Sequence, residues 1–221
     1  MRIAIVSDVH GNLAALEAVI ADLEEQRPEL VVHGGDLAWN GPRPVECVDR
    51  VRELGWPGVK GNMDEALATH RHDPRIGWTT ERIGGERLDW LLGQPLEWRD
   101  EDRVALVHAV PGDLWRAVKA EADDSELRSV YGPLGARLAV YCHIHRPYVR
   151  DLGDLTVANS GSVGLPFDGD PRASYLLITD GRPENRRVEY DVERAVREAE
   201  EVGHPSAAGL ARAWRSGTPP G

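Results

Sequence analysis

Five short apolar runs along this chain each end in residues that can hold a metal ion, and that recurrence limits the fold more than any other feature. IAIVSDVH carries Asp8 and His10, LVVHGGD carries Asp36, GVKGN carries Asn62, VALVH carries His108, and LAVYCHIH carries His143 and His145. Runs rich in Val, Ile and Leu read as strands buried on both faces. The candidate ligands therefore fall at the C-terminal ends of strands, the edge of an open α/β sheet where ligand sites gather. Asp, Asn and His side chains converging from several strand ends suit hard or borderline cations. A lone Asp-x-His arises often by chance; five motifs in order, each at a strand end, do not.

The rest of the pattern supports that frame. Residues 2–7 read as a first strand. Asn12 is an N-cap for a helix over 13–26, whose Leu13, Leu16, Val19, Ile20 and Leu23 recur at helical spacing. Pro28 ends it, 30–33 form a second strand, Pro42 and Pro44 open a second helix, and 58–60 form a short third strand. This β-α-β-α-β run predicts right-handed crossovers and parallel pairing. Residues 64–92 read as largely helical with a break near Asp73-Pro74, and 97–99 with 103–107 as a hairpin. A helix begins within 121–126. Residues 138–141, 148–152, 155–158 and 174–179 are expected as strands of a second sheet, and 192–202 as a charged amphipathic helix. The reading is one domain over 1–215 with a disordered tail over 216–221.

Composition narrows the function. A chain of 221 residues with 41% hydrophobic residues can bury a core as one domain. No apolar run approaches the roughly 18 residues of a membrane span. The N-terminal segment is a strand without a cleavage site, and there are only two cysteines, Cys47 and Cys142. A reducing cytoplasm is therefore the expected compartment. The net charge of -11 argues against duplex nucleic acid, whose binders need a basic face. Two divalent ions would place up to four positive charges at one spot, so a small phosphoester, a nucleotide included, remains open as substrate. Oligomeric state is not readable.

Asp36 is the candidate bridge, since ions about 3.5 to 4 Å apart need a shared ligand; alone it would also fit a helix N-cap. Asp8 with His10, and His143 with His145, share a two-residue spacing that lets both side chains grip one ion. His108 stands alone, and Asn62 would also suit an ordinary turn. His33, His70, His72 and His204 are assigned to packing or solvent. Cys142 is expected to pack at a strand end, and the seven tryptophans to form core or pocket walls.

Taken together, the motifs resemble the calcineurin-like metallophosphoesterase superfamily, in particular its small prokaryotic phosphatase and phosphodiesterase branch. The shared pattern is Asp8-Val9-His10, Gly35-Asp36, Gly61-Asn62-Met63-Asp64, His108 and Cys142-His143-Ile144-His145, together with VHGNLAALEAV, HAVPGDLW and NSGSVGLPFDGDPRASY. The resemblance covers roughly residues 1–180. It implies a four-layer α/β/β/α sandwich of two mixed β-sheets flanked by helices. It further implies two metal ions, manganese, iron, zinc or similar, one held by Asp8, His10, Asp36 and His145 and the other by Asp36, Asn62, His108 and His143.

Four positions depart from that pattern. Met63 stands where the family carries a histidine that usually serves as general acid or stabilises charge on the phosphate, Cys142 replaces a glycine, and Leu165 and Phe167 occupy positions where relatives often show glutamine and arginine. The expected activity is a metal-dependent phosphodiesterase that attacks phosphorus with a hydroxide bridging the two metals, with Asn12 and Asn62 as phosphate contacts. Methionine donates no proton, and losing a general acid costs about 10² to 10⁴ in rate. That favours good leaving groups and singly charged diesters, and Leu165 and Phe167 would give an apolar wall for a base or aryl group. The alternatives are a phosphomonoesterase (a protein phosphatase or dinucleoside polyphosphate hydrolase) and a metal-binding scaffold without catalysis.

Overall fold

The first strand, β1 (Arg2–Val6), sends Ala4 and Val6 to one buried layer and Ile3 and Ile5 to another. Side chains alternate across a strand, so one sheet with both faces covered follows directly. The computed structural model describes residues 1–220. After β1 come α1 (Leu13–Gln26), β2 (Leu30–His33), α2 (Pro44–Glu53), α3 (Asn62–Thr69) and α4 (Pro74–Leu92). Then follow β3 (Glu97–Asp100), β4 (Val104–Val107), α5 (Asp124–Tyr131), β5 (Leu138–Tyr141), β6 (Tyr148–Asp151) and β7 (Thr156–Asn159). β8 (Ala173–Thr179), β9 (Arg182–Val188), α6 (Val192–Glu201) and α7 (Ala207–Ser216) close the chain.

Two mixed sheets result, one ordered β2-β1-β8-β9 and the other β3-β4-β5-β7-β6. Parallel pairs β1/β2 and β4/β5 carry the apolar runs whose C-terminal ends hold the candidate ligands. Between the sheets, Ile3, Ile5 and Val32 meet Val104, Leu106, Leu138 and Val140. The outer face of the first sheet packs on the helices of the N-terminal half, and that of the second on α5. This is the four-layer sandwich expected from the resemblance.

Local chemistry explains the helix ends. Asn12 caps α1, its Oδ1 accepting the Ala15 N–H at 3.1 Å. Asp73 accepts from Arg75 N and Ile76 N to start α4 at the Asp73-Pro74 break. α4 bends at Gly84, where φ is 70°.

Several expectations are corrected. Residues 174–179 do not join the second sheet: β8 pairs antiparallel with β1, so the last long apolar run completes the first. Residues 58–60 contribute one isolated parallel bridge, His33 with Gly58. β9 has no counterpart in the reading. Its RPENRRV sequence lacks apolar alternation, and it is an edge strand, where Pro183 is tolerated. Ser216, read as the start of a disordered tail, closes α7, and Gly217 accepts from Gly169 N–H at 2.9 Å; Gly221 lies outside the described residues. No helix among the described residues is long and apolar enough to cross a membrane.

Candidate metal centre

The loops leaving β1 and β2 run together beyond the strands. Asp8 N–H donates to the Gly35 carbonyl at 3.0 Å, His10 N–H to Asp36 at 3.0 Å and Gly11 N–H to Leu37 at 2.9 Å. His108 ties the second sheet to this pair, its Nδ1 donating to the Gly34 carbonyl at 2.7 Å. Close approach needs glycine at two points. A Cβ on Gly35, at φ +87°, would lie 2.4 Å from Gly61 N, and one on Gly61 would lie 2.0 Å from Asp36 Oδ1.

Five of the seven predicted ligands have left-handed backbone: Asp8 (φ 53°), His10 (50°), Asp36 (54°), His143 (65°) and His145 (57°). Such residues cost of order 1–3 kcal/mol each and persist where the surrounding structure over-determines them. Here the sharp turns aim side chains from successive loops back over the strand ends.

The seven side chains meet. His10 Nε2 and His145 Nε2 lie 3.1 Å apart, with Asp8 Oδ1 at 3.2 Å from His145 Nε2 and 3.8 Å from His10 Nε2. Asp36 Oδ2 stands 3.9 Å from His10 Nε2 and 3.6 Å from His108 Nε2. Asn62 Oδ1 faces His108 Nε2 at 2.9 Å and His143 Nδ1 at 3.0 Å. Six of the seven are buried; His143 alone is half-buried. Asp36 Oδ1 accepts the Met63 N–H at 2.8 Å, so Oδ2 is the oxygen left between the histidines.

These contacts set acceptors against acceptors. His10, His108 and His145 each place Nδ1 on a backbone carbonyl, at 2.9 Å from Trp39, 2.7 Å from Gly34 and 2.6 Å from Leu165. A carbonyl only accepts, so Nδ1 carries the proton and each Nε2 offers a lone pair. Two imidazole lone pairs 3.1 Å apart repel, and the buried Asp8 Oδ1 has no hydrogen-bond donor. A shared cation resolves both conflicts. Donors about 2.1 Å from one ion and at right angles stand about 3 Å apart, close to what is observed.

The electrostatics agree. Asp36 is raised well above that range by burial, then by Asp64 and Asp8. Burial and then His145 lower His10 to about 3, and burial and then His108 lower His143 to about 4. Neutral imidazoles beside crowded carboxylates are what divalent cations need.

A surrounding layer fixes the donors. Ser7 Oγ donates to Asp8 Oδ2 at 2.6 Å, leaving Oδ1 facing the histidines. Asp64 Oδ2 accepts from Asp36 N at 3.0 Å and Gly61 N at 2.9 Å, and its Oδ1 from Leu37 N at 3.4 Å. The sequence reading missed both roles; an acid three residues past Gly61 at a helix start was the available signal for Asp64.

Not every predicted residue joins the site. Asn12 is fully buried and its amide is occupied by Ala15 N–H, the Gly164 carbonyl and Tyr190 Oη, so the helix start and loop packing take the groups assigned to phosphate. Leu165 does not line a pocket: its side chain is buried near Trp214, and its carbonyl orients His145. Phe167 stacks on His145 with centroids 4.4 Å apart. Met63 packs on the core and its Sδ receives Asn62 Nδ2–H at 3.3 Å. His70 and His72 are exposed, whereas His33 is buried with both ring nitrogens unpartnered. Cys142 is buried, as expected, near Ser160.

Comparison with known proteins places this geometry. A family model described as a calcineurin-like phosphoesterase superfamily domain matches residues 1–181. The fold is similar to that of a metallophosphoesterase from Sphaerobacter thermophilus, with a TM-score of 0.86, 31% identity, and coverage of 98% of this chain and 100% of that one. An uncharacterized protein of Methanocaldococcus jannaschii is 31% identical, covering 87% of this chain and 89% of its own. The phosphodiesterase YfcE of Escherichia coli K12 is 25% identical, covering 81% of this chain and 89% of its own.

Proposed function

Because the chain belongs to the calcineurin-like phosphoesterase superfamily, and is thereby a metal-dependent phosphoric ester hydrolase, we propose that it is a phosphodiesterase working with two divalent ions. Asp8, His10, Asp36 and His145 would hold one ion, and Asp36, Asn62, His108 and His143 the other. The carrying observation is the convergence of acceptor atoms, with His10 Nε2 and His145 Nε2 3.1 Å apart and Asn62 Oδ1 2.9 Å from His108 Nε2. Nitrogen and oxygen donors in this mixture suit manganese, iron or zinc. Bound ions supply positive charge against the ester's oxygens and acidify water.

The protein's own part is to orient and to exclude. Ser7, Asp64 and the three carbonyls under the histidines fix the donors before substrate arrives. The half-buried His143 marks the open side, so the ester approaches there. The preference for diesters rests on Met63. Its backbone N–H holds Asp36, but its side chain can protonate no leaving oxygen. A diester also brings one negative charge where a monoester brings nearly two. The name of the E. coli relative, a phosphodiesterase, supports the same reading. Small phosphoesters are then the substrates, and two free buried cysteines are compatible with a reducing cytoplasm.

The test compares hydrolysis of bis-p-nitrophenyl phosphate with that of p-nitrophenyl phosphate, with manganese added. Faster diester turnover is expected. Faster monoester turnover would favour the phosphatase reading, and bound metal with no turnover on any ester would favour a scaffold.

A further inference from the structure

Most tryptophans in the fold are at least partly covered, but Trp115 is 46% exposed. It follows β4 and His108 on a loop that the structure fixes tightly. Val110 and Asp113 exchange backbone hydrogen bonds at 3.1 Å, and Asp113 Oδ1 accepts from Trp115 N at 2.8 Å. Leu114 and Val118 are buried on either side and anchor the loop.

The indole is also held. Its Nε1–H donates to Glu65 Oε2 at 3.0 Å. Glu65 lies one helical turn beyond Asn62 on α3, and residues three apart share a helix face. Asn62 Oδ1 in turn faces His143, the most open of the seven predicted ligands, at 3.0 Å, so the turn of α3 that holds the indole also borders the open side of the site. A rigid, exposed aromatic ring therefore stands at the side from which an ester would enter. Its chain neighbours Gly112, Asp113, Arg116 and Ala117 are exposed and not bulky apolar residues. Its aromatic neighbour in space is the exposed His70, ring centroids 5.9 Å apart, and no other large exposed hydrophobic side chain adjoins it along the loop, so the ring suits a small flat partner better than a protein surface.

We propose that Trp115 is the platform on which an aromatic ring of the ester substrate, a nucleobase or an aryl group, stacks while the phosphate engages the metal centre. The assignment rests on the phosphoesterase reading and adds to it the class of ester. Stacking a base on an aromatic side chain is worth about tenfold or more in affinity.

The test measures dissociation constants by calorimetry on the full chain with manganese. The paired probes are adenosine 5′-monophosphate against ribose 5-phosphate, and phenyl phosphate against ethyl phosphate. Each pair shares its phosphate and differs in the ring. The intact protein should bind one or both ringed members about tenfold more tightly, and which pair shows it separates a nucleobase site from a simple aryl site. W115A should bring the ratio near one, and W115F should keep most of it. E65A, which frees the indole without removing it, should lower the ratio about threefold. Equal affinities within both pairs in the intact protein, or a ring preference surviving W115A, would overturn the proposal. Because binding is read directly, this failure is distinct from the absence of ester hydrolysis.

Discussion

Replacing Asp64 with alanine should damage the metal centre from a distance, because Asp64 lies outside the proposed ligand sets. The residue is 1% exposed and its Oδ2 receives two short backbone bonds, from Asp36 N at 3.0 Å and Gly61 N at 2.9 Å. The third, from Leu37 N at 3.4 Å, is long enough to count for little. Alanine leaves two buried N–H groups unpaired, each costing about 1–3 kcal/mol. The expected loss is about 2–6 kcal/mol, a large share of the roughly 5–15 kcal/mol that holds a domain together. Asp64→Asn keeps one acceptor oxygen where Oδ2 now sits and should lose about 1 kcal/mol. The same bonds hold the Asp36 turn against the Gly61-Asn62 turn, so manganese affinity should fall 10- to 100-fold in Asp64→Ala. Urea unfolding in the presence of chelator gives the first quantity, and metal titration of the folded protein the second. The reasoning fails if Asp64→Ala stays within 1 kcal/mol of the parent, or if asparagine is as harmful as alanine.

Three further outcomes follow. Met63→His should raise turnover of esters with alkyl leaving groups by about tenfold or more while changing p-nitrophenyl esters little, since only poor leaving groups need a proton donor; parallel kcat measurements on the two classes check this. His33 is buried without hydrogen-bond partners, and burial lowers its pKa from 6.5 to about 4. The unfolded chain then takes up a proton at a pH where the folded one does not. Its share of stability is complete above pH 6.5 and is lost as the pH falls toward 4, at about 1.4 kcal/mol per unit. Urea melts at pH 7.5 and 5.5 should show a smaller acid penalty for His33→Phe, by about 1.4 kcal/mol. Ser7→Ala frees Asp8 Oδ2 from its 2.6 Å bond and should weaken manganese binding about tenfold with the fold intact by circular dichroism.

The proposed ligands were legible because each motif is local: a run of Val, Ile or Leu followed by Asp, Asn or His needs no knowledge of distant residues. The helix start at Asn12 was legible for the same reason, while Asp73-Pro74 read only as a break and its role as the cap of α4 is seen in the structure. Asn12 was half read, since the side chain that caps α1 has no free group left for phosphate. The placement of 174–179 was not legible, because an apolar strand carries no mark of which sheet it joins. β9 escaped because Arg182, Glu184 and Arg186 give no alternation with buried residues. Trp115 was read with the other tryptophans as core or pocket wall, and only the three-dimensional loop singles it out by exposing its ring. Cys142 and Leu165 differ from the family pattern in sequence, yet both serve packing here, and Leu165 orients His145 through its carbonyl rather than its side chain.

The pairing of β1 with β8 has a consequence for the order in which the molecule can be assembled. Asp8 and His10 leave the ribosome well ahead of the strand beside theirs, Ala173–Thr179, which emerges only after the whole second sheet. Until then β1 has a neighbour on one side only, and the Asp8 carbonyl lacks its donor from Gly164. A nascent chain would carry the Asp8 and His10 part of its chemistry unfinished until the second sheet and then β8 have both emerged.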